Sequence, residues 1–84
     1  VKFWANAEQS RYIKTKPLHS SQCILSENPT DGSCIFCIDV VINFEMYSVF
    51  MSYGAGVKIL SPRRCLNYMS KTLKAAASLY DQRM

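Results

Sequence analysis

The 84 residues, 49% hydrophobic and 19% charged, suit one folded domain over 1–84 and are too apolar for a disordered tail. A chain this short buries little more than ~60% of its unfolded surface, so some apolar surface is expected to meet a partner, and no apolar run approaches the ~20 residues that cross a membrane. The net charge of +4 sits in one half: residues 1–42 balance Lys2, Arg11, Lys14 and Lys16 against Glu8, Glu27, Asp31 and Asp39, whereas residues 43–84 set Lys58, Arg63, Arg64, Lys71, Lys74 and Arg83 against Glu45 and Asp81.

In chain order, the pattern predicts a short strand over Val1–Trp4 with Val1 and Phe3 on one face. Asn6 opens a helical stretch through Ala7, Gln9, Arg11, Tyr12 and Ile13, in which Glu8 and Arg11 stand three apart and can pair. Pro17 closes it, because the residue before a proline avoids the helical region. Gln22–Glu27 reads as a second strand. Asn28 to Ser33 is turn chemistry, with Asp31-Gly32 a strong hairpin signal. Cys34–Ile42 reads as one long strand. Cys34, Phe36, Ile38, Val40 and Ile42 share one face, and Ile35, Cys37, Asp39 and Val41 share the other.

Asn43 suits an N-cap for a helix over Phe44–Tyr53. Its polar residues Glu45, Ser48 and Ser52 form only a narrow stripe. A helix on a sheet needs one apolar side, so this one should have a second neighbour, and Tyr47, Phe50, Met51 and Tyr53 are the candidate interface residues. Gly54 stops the helix and Gly56 follows in the turn. Val57–Leu60 reads as a fourth strand, and Ser61-Pro62 as N-cap plus first helical position. The last helix runs to about Tyr80. Leu66, Met69, Leu73, Ala76 and Tyr80 recur as a seam facing a core or a partner. Arg63, Arg64, Lys71 and Lys74 lie on its polar side and are the candidate nucleic-acid contacts, although a solvated helix face accounts for them as well.

The order β-α-β-β-α-β-α predicts an α+β fold: a ferredoxin-like β-α-β-β-α-β plait with an additional C-terminal helix. Such a plait leaves one sheet face bare, to meet water, the last helix or a second chain.

Chemistry is sparse. Cys34 and Cys37 form a CxxC, but residues three apart on a strand point to opposite faces, whereas zinc and redox pairs sit on turns or helix starts. Cys23, Cys34, Cys37 and Cys65 therefore read as small core hydrophobes in a reducing compartment, and neither metal nor cofactor is expected. His19, the only histidine, would need a nucleophile or carboxylate partner to act as a base; Ser20 and Ser21 are neighbours, yet the local sequence makes no triad. His19 reads as ordering its loop or lining a binding surface. Gly54-Ala55-Gly56 follows a helix and precedes a strand, the reverse of a phosphate loop. The basic residues of the last helix lack interleaved aromatics for base stacking, Tyr68 being the nearest. No carboxylate pair or triad is visible, so the chain does not read as an enzyme.

Several stretches follow one another in a family-like order. They are Arg11-Tyr12-Ile13-Lys14, Pro17-Leu18-His19-Ser20-Ser21-Gln22, Asp31-Gly32, Asp39-Val40, Asn43-Phe44-Glu45-Met46, Ser52-Tyr53-Gly54, Val57-Lys58-Ile59-Leu60-Ser61-Pro62, Leu66 and Tyr80. Together they resemble the C-terminal extension (WCX) of bacterial WYL-domain transcriptional regulators, over essentially the whole chain. The resemblance implies a cytoplasmic regulator with an N-terminal winged helix-turn-helix that reads DNA and a WYL barrel that senses an effector. The extension itself would have a ferredoxin-like fold and support dimerisation and effector response. The start at Val1 then reads as a cut at the extension's beginning. Within the matching segment, Arg11, Lys14, Lys16, His19 and Gln22 are the candidate effector or interdomain contacts. The expected partners are a second copy and the upstream domains, with nucleic acid met indirectly and no membrane. Two other readings remain open: a small-molecule-sensing plait that binds a metabolite at a chain interface near Gly54–Val57, and a weak single-stranded nucleic-acid binder through the last helix.

Overall fold

A computed structural model describes residues 1–81. Arg83, counted in the basic half, lies outside the described residues. The element order is β1 (Lys2–Ala5), α1 (Ala7–Thr15), β2 (Cys23–Glu27), β3 (Cys34–Cys37), α2 (Phe44–Ser52), β4 (Val57–Ser61) and α3 (Arg63–Asp81), with a single 3₁₀ turn at Gly54–Gly56. The fold is α+β, as expected. Its four strands form one sheet in the order β2-β3-β1-β4, and every neighbouring pair is antiparallel.

Local chemistry starts α1 and α2. Asn6 Oδ1 accepts from Gln9 N–H (2.9 Å) at the head of α1, and Asn43 Oδ1 accepts from Met46 N–H (2.9 Å) at the head of α2. Each satisfies a donor that the first helical turn would leave unpaired. Gly54, at φ +57°, ends α2 in the left-handed region that glycine enters without steric cost. The hairpin between β2 and β3 is longer than a two-residue turn. Asn28 and Asp31 side chains accept from Thr30 N–H and Ser33 N–H, and only Gly32 takes a positive φ, +78°.

The core lies on one face of the sheet. Phe3 in β1 stacks on Phe36 in β3 (centroids 5.3 Å apart) and meets Phe50 of α2 edge-on (5.1 Å). Ile13 of α1, Met46 and Tyr47 of α2, and Ile59 of β4 are buried around them. The opposite face carries no helix-packed core. There Trp4, Ile35 and Cys37 are half-buried while Lys2 and Lys58 are exposed.

The structure departs from the sequence-based reading at three places. The strand expected over Cys34–Ile42 ends at Cys37. Its ladder with β1 closes where Ile38 N–H donates to Val1 O (2.9 Å), and the next amide, Asp39 N–H, donates to the Ser21 hydroxyl instead (2.7 Å). The predicted alternation nevertheless persists: Ile38 is buried, Val40 and Ile42 are half-buried, and Asp39 and Val41 are exposed. Ser61 is not the N-cap of α3, because it remains in β4 opposite Lys2. Pro62 stands at that threshold instead, its carbonyl accepting from Cys65 and Leu66 N–H. The cysteines, finally, are not all core residues. Cys34 and Cys65 are buried, but Cys37 is half-buried and Cys23 is exposed, because β2 is an edge strand exposed at every residue.

Phe36 is fully buried at the centre of the aromatic cluster. Phe36→Ala is expected to lower the unfolding free energy in urea by about 3–5 kcal/mol through the cavity it leaves. Val41→Ala, at a position 77% exposed, should stay within about 0.5 kcal/mol of wild type.

Candidate functional site

The loop between α1 and β2 is held by its own side chains. Gln22 Oε1 accepts from Leu18 N–H (2.9 Å), and Gln22 Nε2 donates to Ile13 O at the end of α1 (3.2 Å). Ser21 N–H donates to His19 Nδ1 (3.1 Å), and the Ser21 hydroxyl lies 2.7 Å from the same nitrogen. Because that hydroxyl also accepts from Asp39 N–H, the loop is tied to the chain leaving β3.

The tie forms a groove between the loop and α2. Leu18 and His19 make one wall, Ile38 and Val40 the floor, and Met46 and Val49 the other wall. Its volume is about 280 Å³, near the lower end of ~300–1,000 Å³ for ligand pockets. The lining is mostly apolar, with His19, Asn43 and Glu45 as its polar members. Such a groove suits a small, largely apolar ligand or a protruding side chain. Among the described residues no three of His, Cys, Asp and Glu gather to hold a metal ion.

The five candidates of the Arg11–Gln22 segment divide by role. His19 lines the groove. Gln22 points back into the loop that it braces. Lys14 pairs with Glu27 of β2, which raises the Lys14 ammonium above its ordinary 10.5 and lowers the Glu27 carboxyl below 4.5. Lys16 lies over the Tyr12 ring, 5.8 Å from its centre. Arg11 is exposed on α1. These side chains therefore do not converge on one point.

The expected interface on α2 is corrected by packing. Tyr47 and Phe50 are 8% and 2% exposed and belong to the core, while Met51 and Tyr53 pack half-buried against it. The second neighbour that the apolar helix required is α3. Tyr47 stacks on Tyr68, ring centres 3.9 Å apart, and its hydroxyl donates to Cys65 Sγ (3.5 Å). That hydrogen bond, with burial, raises the Tyr47 hydroxyl above its ordinary range. Tyr68, the aromatic nearest the basic residues, is thus engaged by Tyr47.

On α3, Arg63, Arg64, Lys71 and Lys74 are exposed and at helical spacing fall within an arc of about 100°. The seam on the opposite side is only half used. Leu66 and Met69 are half-buried beside β4, but Leu73 is 42% and Tyr80 89% exposed. Within Gly54–Val57 the backbone is closely packed at Gly56, where a Cβ would lie 2.6 Å from Gln9 Cγ, and open at Gly54, where a Cβ would meet nothing within 4 Å. Sequence reasoning missed the groove because its walls come from three separated segments. Its one signal was His19, read from the sequence as ordering its loop or lining a binding surface; the structure places it in both roles.

A protein-family model described as the WCX domain matches residues 1–77. No curated protein and no solved structure gives a match.

Glu27 titrates below its ordinary value when folded. The Lys14–Glu27 pair therefore contributes above that value and is lost as pH falls through the folded one. Thermal melting followed from about pH 5 to 3 should fall more steeply for wild type than for Glu27→Gln, and added salt should shrink the difference.

Proposed function

The chain belongs to the WCX domain family, and on that premise we propose that it is the regulatory and dimerisation domain of a bacterial WYL-type transcriptional regulator, with no enzymatic role. The match over residues 1–77 carries the reading. In it, the strand order β2-β3-β1-β4 supports a ferredoxin-like plait extended by α3. A winged helix-turn-helix and a WYL barrel of the same regulator read DNA and receive the effector, and the regulator works in the cytoplasm. No helix among the described residues is long and apolar enough to cross a membrane.

The proposed mechanism is mechanical. The effector, or the WYL barrel that holds it, presses on the groove beside His19. Helix α2 walls that groove with Met46 and Val49 and on its other side stacks Tyr47 on Tyr68 of α3. A ligand that prefers one setting of α2 therefore biases α3, provided its affinity for the two settings differs. The free part of the α3 seam, at Leu73 and Tyr80, meets the second copy.

Sedimentation across concentration tests the dimer. Leu73→Lys combined with Tyr80→Lys should weaken association by about tenfold or more while circular dichroism stays unchanged, because both positions are exposed. A protein that is monomeric at every concentration, with or without its effector, would sink the dimerisation part. A second reading, a small-molecule sensor, is favoured by the groove itself. Saturable thermal stabilisation by one metabolite, lost in Val49→Trp, would support it. Salt-dependent retention of single-stranded oligonucleotides, reduced by removing Arg64 and Lys71, would instead favour direct nucleic-acid contact through α3.

A further inference from the structure

The four cysteines fall into two classes that their spacing does not reveal. Cys34 and Cys65 are confined. Cys34 Sγ lies against Glu27 and Gly32, and Cys65 accepts from Tyr47. Cys23 and Cys37 lie on the helix-free side of the sheet and stand directly opposite each other in the antiparallel register of β2 and β3. Directly opposed residues of an antiparallel pair have Cα atoms ~4.5–5.5 Å apart, inside the ~4.4–6.8 Å that a disulfide spans. Their side chains also leave the same face. Cys23 is exposed and open to an oxidant, whereas Cys37 is half-buried behind it. Beside Cys23 the register slips between Ile24 and Ser26, at an edge strand free to adjust.

We propose that Cys23 and Cys37 form a reversible cross-strand disulfide driven by a hydroperoxide, a modification site independent of the regulator reading. The exposed Cys23 sulfur attacks the peroxide, breaking the O–O bond and giving a sulfenic acid and water. The Cys37 sulfur then attacks the Cys23 sulfur, and the sulfenic oxygen leaves as a second water. Two thiols lose two electrons in total and hydrogen peroxide is reduced to two waters. A dithiol restores both thiols by exchange. Where thiols are kept reduced, such a pair is a transient, responsive bond rather than a permanent staple. It would pin the edge strand β2 to the centre of the sheet.

The test treats the purified protein with hydrogen peroxide, unfolds it, alkylates the free thiols and maps the peptides by mass. Alkylatable thiols are expected to fall from the four of the chain by two, with a Cys23–Cys37 linked peptide that dithiothreitol removes. C23S and C37S should each abolish the link. Because Cys23 is exposed, C23S should melt like the reduced wild type, and the oxidised wild type several degrees higher. Oxidation of Cys23 to a sulfinic acid while Cys37 stays alkylatable would overturn the proposal. So would a link to Cys34 or Cys65, or a link between two chains.

Discussion

The aromatic contact among Phe3, Phe36 and Phe50 constrains everything else in the structure. A four-stranded sheet of this size can bury only one face well, and these rings select which. Phe3 and Phe36 are register partners on neighbouring strands, so their side fixes the direction of every other residue in β1 and β3. Ala5, Cys34 and Ile38 must then face the helices, and Trp4, Ile35 and Cys37 must face away. Aromatic pairs of this geometry add roughly 0.5–1.5 kcal/mol beyond the area they bury. In a thin core, that margin falls on a few residues.

The consequences spread outward from that choice. Helix α2 must lay Phe50 on the sheet, which turns Tyr47 toward α3 and leaves Phe44 and Val49 outside. Helix α3 is drawn in by Cys65 and Met69 at its start, and nothing in the sheet reaches its later turns. The loop after α1, too short of apolar residues to pack, is held by Gln22 and Ser21 instead. Polar bonds and ring packing thus divide the work. One builds the groove wall that bears His19, and the other builds the wall facing it.

Much of this was legible in the residues. Asn6 and Asn43 announce their helices because a short side chain that accepts a backbone bond has few better places to stand. The alternation from Cys34 to Ile42 reports the inside and outside faces correctly even where no strand exists. What it could not report is the end of the ladder, since a strand continues only while a neighbour offers hydrogen bonds, and Asp39 finds Ser21. Tyr47 and Phe50 looked like a partner surface because the sequence says how apolar a helix is and not how many neighbours surround it. The family resemblance marked the loop segment as a unit, but which of its residues brace the loop and which face the groove depends on contacts with Ile13 and Asp39. The opposition of Cys23 and Cys37 was hidden for the same reason. Register is a property of two strands together, and the slip beside Ile24 shifts it by an amount that no single strand encodes.

Helix α3 has one further property, which follows from its length. From its buried foot at Cys65 to Asp81, at ~1.5 Å per residue, it reaches roughly 24 Å, lying beside β4 as far as Leu73. It is held at one end and free at the other, like a pointer on a pivot. A tilt of about 10° at the foot would sweep the tip through roughly 4 Å. The Tyr47–Tyr68 stack joins α2 to the helix close to that foot. A displacement too small to disturb the sheet would therefore be magnified at the tip into one large enough to alter whatever the helix end meets.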